Sequence, residues 1–563
     1  MPKIKRNIEA AGRSRSRSVW LAVYLMFLAL AAGTAWVQLN PNTRIVEQSQ
    51  KQYWATVAVS SSRGRIEDRN GISLAVSVPA TSFFIDPKFW SPDSAGVLTP
   101  IFGAETAKKF AKPLNGRFHW VARNLSTPQA EALAREKVPG LYTLTEKTRV
   151  YPHGSLASHV LGFCDIDGNG LSGIELAWNH ILFSPQRTRL ITRDLSGRAV
   201  DSMGGKSGIG KDTAGSIKLT LDSRIQQIVE WRLAEGAKAV QAEWASGVCV
   251  DPYTGEIIAL ASYPALDLGN RKSFADERTI RNNVVGRVFE PGSIFKPVSM
   301  AIALEVGATS PAAKYQCKGS VRVADKIIHD NNNQAHGIET LTQVLMNSCN
   351  VGMSTMAMKV QRHQAYGLIK QFGFGEKTNV EIAGEEAGLV QSPESWLGTV
   401  TANIFIGQGI AVTPLQQIMA ISSIANGGML MKPYIVDEAR DSDGVLLHKG
   451  SRRVRYQVMS KQTADFVRNA MKMVVSDGGG MQAASKRTTI AGKTGTAQIA
   501  SSGKYVKGQY VASFVGFWPA DKPRYAMLIN IGEPKGRRYY GSQLAAPVFK
   551  AIVEDVVQIT QNK

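Results

Sequence analysis

Residues 290–297 read Glu-Pro-Gly-Ser-Ile-Phe-Lys-Pro and place a serine and a lysine three positions apart. On a helix, Ser293 and Lys296 therefore share one face. Proline is tolerated in the first helical turn and hardly in the interior, so the flanking prolines predict that a helix begins here. Ser293 then lies near the helix N-terminus, where free N–H groups and the helix dipole favour negative charge. Because a serine needs a neighbouring base to become a nucleophile, Lys296 is the candidate base.

A second motif, Ser348-Cys349-Asn350, lies further along the chain between apolar segments and indicates the boundary between a helix and a loop. Ser348 can relay a proton, and Asn350 can orient Lys296 and a substrate amide. Cys349, as the middle residue, is expected to point away from the cleft. Taken alone, this motif is more typical of a helix cap, and the first motif is equally compatible with an ordinary helix start and a solvated lysine.

A third motif, Lys-Thr-Gly-Thr, lies within residues 488–497, which are β-branched and small and predict a strand. Alternation along this strand puts Lys493 and Gly495 on one face. Gly495 is expected to leave room for a substrate backbone, and the N–H of Thr496 to form an oxyanion hole with the N–H of Ser293.

The segments after this strand predict how it is placed in a sheet. Residues 512–517 and 525–531 predict two further strands, joined by the turn 519–523. We therefore expect an antiparallel sheet with the motif strand at one edge.

Lys493 would then supply the second cation that, together with burial, lowers the pKa of Lys296 far enough for Lys296 to act as a base.

The motif order S-x-x-K, S-x-N, K-T-G resembles the signature of serine acyltransferases of the penicillin-binding protein and β-lactamase group. Four further stretches extend the resemblance to class B penicillin-binding proteins, from about residue 55 to about residue 555. They are residues 63–75 (R-G-x-I-x-D-R-N-G-x-x-L-A), residues 219–226 (T-L-D-x-x-x-Q), the hairpin-like residues 250–264, and residues 407–416 (G-Q-G followed by T-P-L-Q).

This resemblance implies a mixed α/β (α+β) fold with an antiparallel sheet flanked by helices, and a peptidoglycan D,D-transpeptidase. Ser293 would attack the penultimate D-alanine of a stem peptide, and an amine from a neighbouring strand would resolve the acyl-enzyme into a cross-link. Lys493, Thr494 and Thr496 would hold the terminal carboxylate, with Gly495 in the same substrate-binding motif. β-Lactams would acylate the same serine, and no cofactor or metal is expected.

Three other functions share parts of this pattern. A β-lactamase carries the same three motifs but needs neither an anchor nor a long front domain. A penicillin sensor uses the same domain without turnover, and a catalytically silent scaffold needs no intact motifs. The three complete motifs argue against the scaffold, and residues 63–75 argue against the other two.

Residues 539–549 follow the pattern Y-Y-G-x-x-x-A-A-P-x-F, which resembles division-specific, FtsI-type members of class B. The resemblance implies septal wall synthesis, with a glycan polymerase of the FtsW type and other division proteins as partners. A sidewall-elongation transpeptidase of the same class is the alternative.

The N-terminus predicts attachment to the cytoplasmic membrane. Residues 1–18 are basic, and residues 19–38 form an uncharged apolar run with Trp20 and Trp36 near its ends. This length and these aromatic ends are typical of one transmembrane helix, and the positive flank is expected to stay in the cytoplasm. The rest of the chain would then be extracytoplasmic. A cleaved signal peptide is the alternative.

The chain of 563 residues is long enough for two or three domains. After the tail (1–18) and anchor (19–38) we expect a pedestal or dimerisation-like domain over residues 39–213 and a transpeptidase domain over residues 214–563. The glycine-rich residues 204–215 lack the spacing of a phosphate-binding loop and are interpreted as a turn or linker.

The net charge of +21 does not indicate nucleic-acid binding, because the chain has no recognisable nucleic-acid module. Attraction to anionic lipid or to an acidic wall polymer is the more consistent interpretation. The four cysteines show no C-x-x-C spacing and no metal-ligand cluster in the sequence, and we expect buried free thiols, although an oxidising compartment would permit a disulfide. They are Cys164, Cys249, Cys317 and Cys349.

Overall fold

The computed structural model describes most of the chain. The described residues are 2–40, 54–59, 61–116, 118–185, 187–193, 199–200, 213–501 and 504–561. The glycine-rich stretch that was interpreted as a linker lies outside these residues up to residue 212. The chain divides into two compact units, one of residues 1–60 and 186–211 and the other of residues 61–185 and 212–563.

The α-helices of the described residues are numbered in chain order. They are α1 (Pro2–Leu39), α2 (Thr99–Phe110), α3 (Thr127–Arg135), α4 (Ser158–Leu161), α5 (Gly173–Ala177), α6 (Asn179–Leu182), α7 (Ser223–Ala239), α8 (Glu277–Ile280), α9 (Lys296–Glu305), α10 (Leu341–Met346), α11 (Asn350–Ala357), α12 (Arg362–Gln371), α13 (Val400–Phe405), α14 (Pro414–Ala425), α15 (Lys461–Ser476) and α16 (Ala545–Gln561). Short 3-10 turns cover Pro92–Leu98, Arg271–Ala275, Gly292–Phe295, Asn331–Asn333, Pro393–Ser395 and Met481–Ala483.

The β-strands are numbered in the same way. They are β1 (Trp54–Val59), β2 (Ser62–Arg63), β3 (Ile66–Glu67), β4 (Ser73–Ile85), β5 (His119–Leu125), β6 (Leu141–Val150), β7 (Phe183–Ser184), β8 (Arg187–Arg193), β9 (Ala199–Val200), β10 (Ser216–Leu219), β11 (Trp244–Val250), β12 (Ile257–Tyr263), β13 (Lys314–Cys317), β14 (Ser320–Val323), β15 (Lys326–His329), β16 (Gly337–Thr340), β17 (Met429–Met431), β18 (Val436–Arg440), β19 (Leu446–Lys449), β20 (Val454–Gln457), β21 (Ala491–Ser501), β22 (Lys504–Trp518) and β23 (Tyr525–Gly532).

The first unit contains α1 and a three-stranded antiparallel sheet with the order β1-β8-β9. Within α1, residues Arg15–Leu39 are long and apolar enough to cross a membrane, with a mean hydropathy of 1.8. This stretch includes the predicted anchor at residues 19–38.

In the second unit, a seven-stranded sheet has the order β19-β18-β10-β3-β4-β5, with β6 paired to β4. The residues of the R-G-x-I-x-D-R-N-G motif have structural roles here. Arg63 is buried and bonded to the Glu175 carboxylate, which also accepts from Arg149 Nε at 2.6 Å. Asp68 accepts bonds from the N–H and the hydroxyl of Ser223, at the start of α7. Buried charges of this kind persist because they are paired.

The second unit also contains a five-stranded antiparallel sheet with the order β12-β11-β23-β22-β21. Side chains alternate between its faces, so Val248 and Leu528 belong to the core shared with α14, whereas Cys249 and Ile529 belong to the core shared with α7 and α16. The predicted motif strand is β21, at the edge of this sheet. The predicted mixed α/β fold, with an antiparallel sheet flanked by helices, is confirmed.

Candidate active site

The three sequence motifs meet at one polar cavity of about 520 Å³ in the second unit. The motif residues that line this cavity are Ser293, Ser348, Asn350, Thr494, Gly495 and Thr496. Lys296 and Lys493 do not line it; they are 0% and 1% exposed. The fold therefore brings a half-buried serine, two hydrogen-bonding side chains and two buried amines into one region.

Ser293 lies in the 3-10 turn Gly292–Phe295, and α9 begins directly afterwards at Lys296. The predicted helix start is thus confirmed, with a tighter turn in front of it. Gly292 has a φ of 55° and donates its N–H to the carbonyl of Gly407 at 2.9 Å. A Cβ on Gly407 would lie 2.0 Å from the Gly292 oxygen. Only glycine therefore fits at position 407, where the G-Q-G stretch packs directly against the turn that carries Ser293.

Lys296 is held by the S-x-N motif. Its Nζ donates to the carbonyl oxygen of Ser348, to Ser348 Oγ at 3.2 Å and to Asn350 Oδ1 at 2.7 Å. Within the described part of the chain, Lys296 Nζ makes no hydrogen bond to Ser293. Burial lowers the pKa of Lys296 to about 8, against the opposing charges of Asp330, Cys349 and Glu339. This places the amine within reach of the neutral form that a general base needs.

Lys493 lies on the buried face of β21, together with Gly495, as the alternation predicted. Its Nζ donates to the carbonyl oxygen of Thr494 at 2.9 Å. Burial holds the pKa of Lys493 well below its usual range, and the charge of Lys296 lowers it further. Of the two expected causes of the lowered pKa of Lys296, burial is confirmed, whereas the repulsion between the two amines lowers the pKa of Lys493 instead.

The lowered pKa of Lys296 predicts a pH dependence. Only the neutral amine can accept a proton, so the second-order rate constant of acylation should rise with pH and level off above about 8. Below that value it should fall about tenfold per pH unit. Stopped-flow measurements with a chromogenic β-lactam check this profile, and a flat profile down to about pH 6 would argue against Lys296 as the base.

The S-x-N motif lies at the junction of α10 and α11, with Asn350 as the first residue of α11. Ser348 has a φ of 56°, a left-handed conformation that a serine rarely adopts. Asn350 is fixed on both sides: its N–H donates to Asp330 Oδ1 at 3.2 Å and its Nδ2 to the His329 carbonyl at 3.1 Å. Cys349 is fully buried and accepts the Gly352 N–H at the start of α11, so its predicted direction away from the cleft is confirmed.

Gly495 also has a packing role that the sequence did not predict. A Cβ at this position would lie 2.9 Å from Ile294 Cγ2, 3.2 Å from Ile294 N and 3.3 Å from the Pro291 oxygen. Its bare side therefore faces the turn that carries Ser293, and the residue also lines the cavity. The glycine is required because β21 and this turn pack in direct contact.

Replacing Gly495 by alanine should therefore displace the turn that carries Ser293. We expect acylation to slow by about 10-fold or more, because small misplacements of reacting groups are costly. Gly367→Ala on α12 is the matched control, since an added Cβ there meets nothing within 4 Å. Equal acylation rates for the two variants, measured with the same β-lactam, would contradict this role for Gly495.

The cavity also has an aromatic wall, which lies outside the three sequence motifs. Tyr510, Tyr539 and Tyr540 line it, and their rings stack at centroid distances of 4.3 and 4.5 Å. Gly541 donates its N–H to Thr496 Oγ1 at 3.0 Å and so ties this wall to β21. The Y-Y-G pattern at residues 539–541 is the sequence signal for this wall.

This geometry agrees with the comparison against protein families. The sequence model of the penicillin binding protein transpeptidase domain family matches residues 245–554. The sequence model of the penicillin-binding protein dimerisation domain family matches residues 58–212. The chain belongs to the penicillin-binding protein family. Residues 293–296, 348–350 and 493–496 all fall within the transpeptidase match.

Several relatives cover nearly the whole chain of this penicillin-binding protein. Stage V sporulation protein D of Bacillus subtilis is 30% identical over 96% of this chain and 85% of its own length. Peptidoglycan D,D-transpeptidase FtsI of Escherichia coli is 31% identical over 95% of this chain and 90% of its own length. Penicillin binding protein 3 of Mycobacterium tuberculosis, solved in apo form and with aztreonam or ampicillin, is 28% identical, with a TM-score of 0.69 over 90% of this chain and 96–97% of those structures.

Proposed function

We propose that this penicillin-binding protein is a peptidoglycan D,D-transpeptidase that works through an acyl-enzyme on Ser293. The observation that carries the proposal is the convergence of all three motifs on one cavity, with a buried amine of lowered pKa beneath them. The activity printed in the name of the Escherichia coli relative supports the same reaction.

In the proposed first step, Ser293 Oγ attacks the carbonyl of the penultimate D-alanine of a donor stem peptide. Lys296 takes the hydroxyl proton, directly or through Ser348, whose Oγ lies 3.2 Å from the lysine nitrogen. The N–H groups of Ser293 and Thr496 stabilise the oxyanion. The C–N bond then breaks, and terminal D-alanine leaves as the amine after it receives the proton through Ser348.

In the second step, an amine from a neighbouring strand attacks the acyl-enzyme and releases Ser293. The aromatic wall of Tyr510, Tyr539 and Tyr540 narrows the cavity and offers apolar surface to the peptide. β-Lactams follow the first step only, because their strained amide acylates Ser293 and the product does not leave.

A purified full-length chain, given a stem-peptide thioester donor and an acceptor amine, tests this function. We expect the acyl group to be joined to the added amine. Hydrolysis alone would favour a carboxypeptidase or a β-lactamase, and a stable adduct without turnover of the donor would favour a sensor. Mass spectrometry of the released products separates these outcomes.

Lys493 is proposed to hold the terminal carboxylate of the donor, with the hydroxyls of Thr494 and Thr496. A bound carboxylate would favour the charged form of Lys493, which burial disfavours by lowering its pKa. Lys493→Ala should therefore slow acylation. It should also reduce the preference for a donor with a terminal carboxylate over the same donor with a terminal carboxamide by about 10- to 100-fold, which corresponds to the free energy of one hydrogen bond to a charged group. An unchanged preference in competition kinetics would contradict this assignment.

We further propose that the chain acts in septal wall synthesis, anchored by Arg15–Leu39 with its N-terminus in the cytoplasm and its catalytic domain outside. The Y-Y-G pattern and the FtsI relatives support the division role. An FtsW-type glycan polymerase is the proposed partner. Fluorescent-fusion imaging should show the chain at midcell in dividing cells; an even distribution along the sidewall would favour the elongation alternative.

The proposed domain organisation keeps a pedestal over residues 39–213 and a transpeptidase domain over residues 214–563. The matches to the dimerisation and transpeptidase families, at residues 58–212 and 245–554, support it. The pairing of β3 with β10 places strands from both sides of residue 213 in one sheet. The two segments therefore share a sheet within the second compact unit.

A further inference from the structure

Behind the S-x-N motif lies a second cluster of reactive side chains that does not line the cavity. The sulfur atoms of Cys317 and Cys349 and a carboxylate oxygen of Asp330 all lie within 4.8 Å of one another. Cys317 ends β13, Asp330 precedes the turn Asn331–Asn333, and Cys349 precedes α11. All three are buried, with exposures of 1%, 0% and 4% for Cys317, Cys349 and Asp330.

The spacing of these atoms suits a tetrahedral metal ion. Cys317 Sγ lies 3.4 Å from Asp330 Oδ2. A zinc ion with Zn–S of about 2.3 Å and Zn–O of about 2.0 Å holds a sulfur and an oxygen ligand about 3.5 Å apart. Thiolates and carboxylates are ligands that zinc accepts.

A second, independent observation points to a cation in this region. Glu339 is 2% exposed, and its Oε2 has no hydrogen-bond partner among the described residues. Its other oxygen, Oε1, accepts from Asn347 Nδ2 at 2.8 Å. The carboxylate lies beside the Cys349 thiol, which is only a weak hydrogen-bond donor to it. A buried carboxylate oxygen without a stronger partner is costly unless a cation or a water molecule binds it.

We propose that Cys317, Cys349 and Asp330 bind one zinc-like divalent cation, with the fourth position open to water. Each thiol releases its proton to solvent when the cation binds. The divalent cation and the two resulting thiolates together have a net charge of zero, which is the net charge of the two thiols before binding. Binding therefore adds no net charge to this buried cluster, which lies close to Lys296.

The proposed ion would hold the S-x-N motif in place. Asp330 Oδ1 accepts the N–H groups of Asn331 at 2.8 Å and Asn350 at 3.2 Å, and Cys349 lies between the two polar residues of the motif. Ser348 has an unfavourable left-handed backbone, which its surroundings must maintain. A metal that joins β13, the 331–333 turn and α11 would supply this support. The site is structural and lies beyond the proposed transpeptidase reaction.

The test uses the full chain, purified in detergent under reducing and metal-free conditions and titrated with Co²⁺ and then Zn²⁺. We expect about one Co²⁺ per chain, with the d–d absorption of tetrahedral cobalt and a near-ultraviolet sulfur-to-cobalt charge-transfer band, both removed by Zn²⁺. Cys317→Ser should weaken binding at least about 10-fold. Cys249→Ser, which removes a buried thiol in β11, is the matched control and should bind as the unmodified chain does.

Three results would overturn the proposal. The first is cobalt bound without the charge-transfer band, and the second is equal affinity in Cys317→Ser and Cys249→Ser. The third is a thiol titration of the freshly isolated, unfolded chain that finds two thiols instead of four, as a Cys317–Cys349 disulfide would produce. The charge-transfer band is measured on the unmodified chain, so its presence or absence tests cysteine ligation of the metal even if Cys317→Ser fails to fold.

Discussion

A chain that carries Ser293→Ala forms no covalent adduct with penicillin, although its fold is unchanged. The hydroxyl is the proposed nucleophile, and alanine fits the 3-10 turn without new contacts because it only removes an oxygen. We expect acylation to fall by about 10⁴-fold or more. Labelling with a fluorescent penicillin, followed by intact-mass measurement, checks this result.

The matched control is Ser299→Ala, which removes a buried hydroxyl from the same segment, outside the cavity. Its hydroxyl donates to the carbonyl of Phe295 at a long 3.5 Å, so its loss should leave labelling unchanged. Peptide mapping that finds the adduct on Ser348 in the unmodified chain would contradict the assignment of Ser293.

Replacing Lys296 by alanine should slow acylation by about 10² to 10⁴-fold, the range that a positioned general base contributes. Lys296 is the buried amine whose pKa is lowered to about 8, and it is bonded to Ser348 and Asn350. Pre-steady-state acylation kinetics with a chromogenic β-lactam measure the change. A rate unchanged by the substitution would show that another group takes the proton.

Two further variants separate chemistry from packing. Lys296→Met keeps most of the side-chain volume in this buried position and removes the amine, so it should slow acylation as much as Lys296→Ala does. Lys296→Arg retains a charge but cannot release its proton at accessible pH, and it should be equally slow. Thermal unfolding of each variant shows whether the fold persists. Near-normal acylation in Lys296→Met would mean that the loss in Lys296→Ala comes from a packing defect.

Much of the catalytic domain can be predicted from the chain because its signals are local. The β-branched run around Lys493 predicts β21, and the alternation correctly places Lys493 and Gly495 on one face. The prolines around Ser293 predict the start of α9. Each of these features depends on neighbours within a few residues, which a single sequence displays.

Features that depend on contacts between distant segments could not be predicted in the same way. Gly495 faces the Ser293 turn, and this close approach is visible only when β21 and the turn are packed together. The pKa of Lys296 is set mainly by burial, which no local pattern shows. The same holds for the cluster of Cys317, Asp330 and Cys349, whose members lie on separate elements.

The central claim is that Ser293 passes its acyl group to an amine and so makes cross-links. The most direct test supplies the full-length chain with nascent glycan strands from an FtsW-type polymerase and analyses the digested product by mass spectrometry. We expect cross-linked stem-peptide dimers with the unmodified chain and none with Ser293→Ala. Release of D-alanine and free acid by the unmodified chain, without any dimer, would contradict it.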